Sequence, residues 1–232
     1  MRTIIAVLIC ACALVIAGCE TRSISDSDYR RGWGREGNPL YKGELTEHDV
    51  LGVAPKQDAS EDAIQKALNA GGQIKLKRGD SVLLIQSGAM LPDAGMIDAA
   101  RAYFEIAPFS GIPGTGQDGM AESLRLRAAQ GGYPYVLCYW GVLETSRENR
   151  EGAAVSWVPI VGGFIPDQKQ QMRIRLKGLL VDVRSGAWRM YTPEVYSDSK
   201  WTSGLAREKA DQALVDHLKT AGYRALVTEL LK

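Results

Sequence analysis

The stretch Ser81-Val82-Leu83-Leu84-Ile85-Gln86 constrains the fold more than any other part of the chain. Four consecutive apolar residues bounded by polar ones suit a short strand buried on both faces. Such a strand needs a layer of structure on each side of its sheet, which is the arrangement of an α/β protein. The flanking sequence supplies those layers. Pro92 to Ala102 has helical spacing, Tyr103 to Ala107 is strand-like, Met120 to Gln130 is a helix stopped at Gly131-Gly132, and Tyr135 to Glu144 is a long strand. Upstream, Ser60 is placed to cap a helix reaching Ala70, with Ile64, Ala67 and Leu68 on one face. Thr46 caps a shorter helix that Gly52 ends.

From Val155 onward the pattern changes to β. Met172, Ile174 and Leu176 alternate with Arg173, Arg175 and Lys177, so one face of this strand is expected in solvent. Val155 to Val161 and Gln170 to Val183 flank a Gly/Pro turn and are expected to form a hairpin; Arg184-Ser185-Gly186 turns into a second one. A helix from about Leu205, broken at Gly222, closes the chain on a stripe of Ala210, Leu214, Leu218 and Ala221. The expected fold is therefore α/β (α+β): a mixed sheet with helices packed on it, hairpins in the second half and a C-terminal helix. Residues 59–232 form one domain, and no internal repeat is present.

The N-terminus carries a separate message. Arg2 precedes an apolar run from Ile4 to Gly18 that is shorter than the ~20 residues of a spanning helix and has the form of a secretory signal. Its end, Ile16-Ala17-Gly18-Cys19, resembles the lipobox of bacterial lipoproteins. The resemblance implies that residues 1–18 are removed and that Cys19 is acylated, anchoring the chain to a lipid bilayer. Two or more acyl chains hold stably, because each buried CH₂ contributes roughly 0.8 kcal/mol. Glu20 stands where an inner-membrane retention aspartate would, so the resemblance implies the outer membrane, with the domain facing the periplasm. Residues 19–58 are expected to be a lipidated N-terminus and flexible tether, since Glu20 to about Asn38 is rich in Ser, Asp, Arg and Gly. Tyr29, Trp33 and Tyr41 are expected to dock on the domain itself.

The order of elements from about Ser81 to Leu231 is similar to the TolB N-terminal/CsgG-like α/β fold of several envelope lipoproteins. The stretches that carry the similarity are Gly132-Tyr133-Pro134-Tyr135-Val136-Leu137 and Leu180-Val181-Asp182-Val183-Arg184-Ser185-Gly186-Ala187-Trp188. It implies a module without catalysis that docks a partner or assembles with itself.

Composition narrows the chemistry. Lys+Arg 28 against Asp+Glu 27 leaves a net charge of +1, which excludes the basic excess of a nucleic-acid binder. Cys10 and Cys12 leave with the signal and Cys19 takes lipid, so Cys138 has no partner for an intramolecular disulfide. A Cys–His nucleophile would need His48 or His217, and Cys138 reads instead as a small buried hydrophobe. Two histidines and no HExxH give no metal site. Gly114 to Gly119 matches GxGxxG, but it lies far from the preceding strand, and Tyr139 stands where the ribose-binding acid belongs. Ser197-Asp198-Ser199-Lys200 matches SxxK without the accompanying SDN, in what reads as a polar loop. Acid pairs Asp26/Asp28 and Glu61/Asp62 solvate or cap. No catalytic residue and no cofactor is expected.

One segment suggests a contact surface. Trp157-Val158-Pro159-Ile160-Val161-Gly162-Gly163-Phe164-Ile165-Pro166 places Trp157, Ile160, Phe164 and Ile165 at an apolar hairpin tip suited to a protein partner. The expected function is a membrane-anchored envelope lipoprotein with a partner-binding or assembly domain, in cell-wall or secretion machinery. The alternatives are an envelope hydrolase with an unidentified nucleophile and a self-assembling ring or pore subunit.

Overall fold

A computed structural model describes residues 22–26, 38, 40–52, 60–70, 74–114, 119–147, 156–159, 170–200 and 207–232. Its strands are β1 (Arg22–Ser23), β2 (Ser81–Gln86), β3 (Glu105–Phe109), β4 (Tyr135–Arg147), β5 (Ser156–Pro159), β6 (Gln170–Asp182), β7 (Trp188–Tyr191) and β8 (Tyr196–Lys200). The helices are α1 (Glu47–Leu51), α2 (Glu61–Ala70), α3 (Ala94–Arg101), α4 (Met120–Gln130) and α5 (Arg207–Leu230). All eight strands join one mixed sheet of order β3-β2-β4-β6-β7, the expected α/β class.

β2, β3 and β4 are parallel, as two strand–helix–strand crossovers require. β4 and β6 form the long antiparallel ribbon of the sheet, paired from Tyr135↔Asp182 to Ser146↔Gln171. β2 reaches only as far as Tyr139 along β4, and the free edge beyond is taken by β1 at Val142 and Leu143 and then by β5 from Glu144 to Arg147. On the far side of β6, β8 pairs with its first residues and β7 with its last.

Helices cover both faces. Beneath α3 and α5 lie Val82, Leu84, Leu137, Tyr139, Leu143, Ile174, Leu176 and Leu180, together with Met96, Leu218, Leu226 and Leu230 from the helices. Beneath α1 and α4 lie Leu83, Ile85, Val136, Cys138, Leu179 and Val181 with Val50, Leu124 and Ala128. Burying a Val, Leu or Ile side chain contributes roughly 1.5–3 kcal/mol, and β2 does so on both faces at once.

Several expectations change. Val155 to Val161 does not form a hairpin with Gln170 to Val183, because β5 pairs with β4 and β4 lies between β5 and β6. The second half of β4 would otherwise leave backbone donors and acceptors unpaired beyond the end of β2, and β5 folds back to satisfy them. The 188–191 hairpin forms as expected, across Val181↔Trp188 to Gly178↔Tyr191. Gly222 does not break the last helix, which runs unbroken from Arg207 to Leu230. A Cβ there would lie 2.9 Å from Leu176 Cδ1 and 3.1 Å from Ile174 Cγ2, so the glycine sets how closely α5 approaches the sheet. Ile64 and Leu68 of α2, an apolar face in the helical pattern, are 46% and 68% exposed.

Within the tether expected over residues 19–58, the described residues 22–26, 38 and 40–52 lie on the domain, and Tyr29 and Trp33 fall outside the described residues. Arg22–Ser23 is a sheet strand, and Ile24 is 1% exposed. Gly141 makes room for it, since a Cβ at that position would lie 2.8 Å from Ile24 Cγ2. Leu45 and Val50 are buried too, and Tyr41 docks on the domain against Gly88. Thr46 caps α1 as expected, in a reciprocal box with Asp49. One isoleucine in a glycine-filled niche anchors a segment whose composition is otherwise that of a linker.

Candidate functional site

In open α/β sheets, ligands bind in the crevice beyond the carboxyl ends of the parallel strands, where neighbouring strands send their connections opposite ways. Here that position lies at Gln86 and Ser87, between β2 and β4. It is filled by the chain itself. Ser25 donates from its hydroxyl to the Ser87 carbonyl at 2.5 Å and accepts from Gln86 Nε2 at 3.0 Å. Gln86 Oε1 accepts from the Tyr139 hydroxyl at 2.5 Å and from the Asp93 backbone N–H at 2.7 Å. Ser87 Oγ accepts from Leu45 N–H at 2.7 Å, and the Leu45 carbonyl in turn accepts from the Trp140 indole at 2.6 Å.

Beside this network sits Glu44, whose carboxylate accepts from the Ser23 and Tyr41 hydroxyls. Burial raises the Glu44 carboxyl above its ordinary range, although hydroxyls of Ser23, Ser87 and Tyr41 favour its charged form. Burial and the neighbouring Glu44 push the Tyr41 hydroxyl up to about 12. The site is thus polar and buried, and its groups bond mainly to one another, with Ser23, Ser25, Tyr41, Glu44 and Leu45 supplied by the N-terminal segment, while Glu44 Oε2 is buried without a hydrogen-bond partner among the described residues.

On the α3/α5 side, Asp93, Ala94, Gly95, Asp216, Lys219, Thr220 and Tyr223 line a cleft of about 240 Å³. Lys219, 5% exposed, pairs with Asp93 Oδ2 at 2.9 Å, and the Tyr223 hydroxyl donates to the same oxygen. The Tyr223 ring stands edge-on to Tyr139, with centroids 5.7 Å apart. These groups bond each other and tie α3, α5 and the sheet together. A buried pair held this way costs about 3–5 kcal/mol to break by removing one partner.

Beyond α1, the α4-side face of the ribbon is polar. Glu144 holds Arg173 Nε and Arg175 Nη2, each at 2.5 Å, and Lys177 pairs with Glu47 while lying over the Trp140 ring. The Lys177 ammonium holds the Glu47 carboxyl below its ordinary range.

Cys138 is fully buried beneath α1 and α4, and burial pushes its thiol well up. His217 lies on α5, across the sheet, near Asp198 at 3.5 Å and the Tyr196 hydroxyl at 3.4 Å. The sheet therefore separates Cys138 from His217, while His48, on α1 over the same face as Cys138, is exposed and Cys138 is sealed beneath it. Ser197 lies in strand β8 and not in a loop. Positions 197 and 200 face opposite sides of a strand, whereas SxxK chemistry needs them one helical turn apart. Among the described residues no cluster of His, Cys, Asp and Glu could hold a metal ion, and no helix is long and apolar enough to cross a membrane. Trp157 belongs to β5, where its backbone pairs with Ser146. Ile16, Ala17, Gly18, Cys19, Ile160, Phe164 and Ile165 lie outside the described residues.

Gln86, Asp93, Lys219 and the Ser23–Ser25 segment have no signature in the sequence. Their one available signal is position, as polar residues at the end of an apolar strand or inside an apolar helical stripe.

No curated protein matches the chain. Among solved structures, a PelC dodecamer from Paraburkholderia phytofirmans is 18% identical, with 67% of this chain and 95% of that chain covered and a TM-score of 0.28. The hypothetical protein CT253 from Chlamydia trachomatis is 10% identical, over 64% of this chain and 98% of its own, at 0.31. Lipoprotein GNA1162 from Neisseria meningitidis is 14% identical, over 60% of this chain and 98% of its own, at 0.26. Likeness at this distance transfers no function. A family model, by contrast, matches residues 46–232, the greater part of the chain, and on that match the protein belongs to the YafT bacterial lipoprotein family.

Proposed function

We propose that residues 1–18 are a signal peptide, that Cys19 is the acylated first residue of the mature protein, and that its domain serves at the outer membrane as a periplasm-facing, non-catalytic docking module. Membership of a bacterial lipoprotein family is the observation that carries this reading. Ile16-Ala17-Gly18-Cys19 supplies the acceptor the family name calls for. The absence of catalysis is supported by the way polar groups are spent. Asp93 takes both Lys219 and Tyr223, Gln86 and Ser87 are bonded to the N-terminal segment, and Cys138 is sealed. The β-α-β-α-β order followed by antiparallel strands and a closing helix supports the TolB N-terminal/CsgG-like assignment. A protein partner in cell-wall or secretion machinery would meet the 157–166 segment, with Trp157, Ile160, Phe164 and Ile165 as its apolar contacts.

The test is metabolic labelling of cells with a clickable fatty acid, comparing wild type with Cys19→Ala, followed by membrane fractionation and crosslinking. Label that depends on Cys19 and follows the outer membrane is the expected result. Unlabelled wild-type protein overturns the anchor. A Phe164→Asp variant that stays folded and keeps every crosslinked partner overturns the docking role of that segment.

A further inference from the structure

We propose that the domain lies against the bilayer surface through the polar half of the β4–β6 ribbon, where Arg173, Arg175 and Lys177 meet phospholipid headgroup phosphates. This rests on the reading that Cys19 carries the acyl anchor. Its first support is reach. Arg22 is hydrogen-bonded into the sheet only three residues after Cys19. Three residues span at most about 11 Å when fully extended, so the acyl chains enter the membrane close to the β4 edge at Leu143. A domain held so tightly cannot stand away from the headgroups.

The second support is which surface lies at that level. On the α5 side, Ile24, Leu143, Met172 and Ile174 are buried in the core. On the other side, the same stretch of β4 and β6 carries Glu144, Arg173, Arg175 and Lys177, beyond the end of the α1/α4 cluster. The charges there are layered. Glu144 is the deep member, with its side chain 9% exposed, and the arginines lie outside it, Arg175 at 51%. Lys177 is 36% exposed beside Glu47 at 46%, and Glu44 and Asp49 lie further in. Arg175 is therefore the most exposed charge of the set, with Glu47 next and Lys177 and Arg173 (22%) behind it, and the four carboxylates outnumber the three cations by one. Guanidinium groups take phosphate oxygens through paired N–H donors, which is the chemistry a headgroup layer offers.

The test uses the full acylated chain in phosphatidylcholine/phosphatidylglycerol vesicles, with a nitroxide on Ser197→Cys or on Thr228→Cys. Ser197 pairs with Arg173 across β8 and β6 and shares its face, whereas Thr228 is exposed on α5 across the sheet. Flotation with the vesicles reports the anchor, and access of a water-soluble relaxing agent reports the contact face. The expected result is a severalfold loss of access at 197 on vesicle binding, no change at 228, and recovery of access at 197 in Arg175→Glu. Each basic residue near such a surface is worth about fivefold in binding, so one reversal suffices to be seen. Protein that floats with both labels equally accessible, or with 228 protected, overturns this contact face and leaves the anchor standing. Protein that does not float overturns both.

Discussion

On the side of α3 and α5, buried side chains run the whole length of the β4–β6 ribbon, from Leu180 and Tyr139 at one end to Leu143 and Met172 at the other. On the side of α1 and α4 the buried cluster ends at Cys138 and Leu179, and the next positions along β6 are Lys177, Arg175 and Arg173. The same strands build both faces, so the difference lies in what each face has to cover it. α5 is 24 residues long and passes over much of the ribbon, whereas α4 is 11 and α1 only 5. The lesson is a division of labour: one face holds the fold together, and the other leaves half its width free for work that stability does not demand.

The comparison can be broken by mutation. Leu218→Ala should lose about 3–4 kcal/mol in urea unfolding, because a filled position under α5 becomes a cavity. A loss below 1 kcal/mol would mean that the α5 face is not the structural one. Asp93→Ala takes the 2.9 Å partner from the buried Lys219 ammonium and should cost about 3 kcal/mol by the same measurement. Ile24→Ala should cost about 2 kcal/mol, because only one side chain and its niche over Gly141 are involved. Hydrogen exchange should show the one amide of Val142 and Leu143 that faces β1 losing protection while the one that faces β6 and those of β2 keep theirs.

Glu44→Gln sharpens the contrast through pH. The folded Glu44 carboxyl is raised, so its contribution is most favourable when protonated and is lost as pH rises through the folded value. The variant should therefore be more stable than wild type near neutral pH, and the advantage should vanish as pH falls below the ordinary carboxylate range. An advantage independent of pH would point to packing and not charge. Lys177→Ala, on the open face, should change stability by less than about 0.5 kcal/mol, since the pair it breaks is exposed and screened. A change of several kcal/mol would show that this face is structural after all.

The parts legible in the sequence are those fixed within a few residues. α4 begins and ends at Met120 and Gln130 as its spacing requires, and Thr46 and Ser60 start their helices with the expected hydrogen bonds. Partners in the sheet are a different matter. β5 looks like the mate of β6 because a turn joins them, yet the vacancy it fills is on β4, and nothing local records how far β2 extends. Gly222 reads as a helix breaker because its reason, contact with Leu176 and Ile174, lies on another element. Arg22–Asp26 reads as linker because Ile24 is its one apolar residue, and Ser23 and Ser25 become docking groups only once the fold supplies Glu44, Gln86 and Ser87. The buried site was hidden for the same cause: Gln86, Ser25 and Tyr139 are commonplace residues until the fold brings them together.

The seating of β1 on the free edge of β4 has a mechanical consequence. A pull on the N-terminus acts on this short edge strand first. It loads two backbone-paired residues and one isoleucine knob directly on the central ribbon. If that fastening gives, the chain from Arg22 to about Leu45 is released as slack, a coil of roughly 24 residues and 25–30 Å. β1 thus gives the N-terminus two lengths of leash, a short one while it is seated and a longer one once it is drawn out.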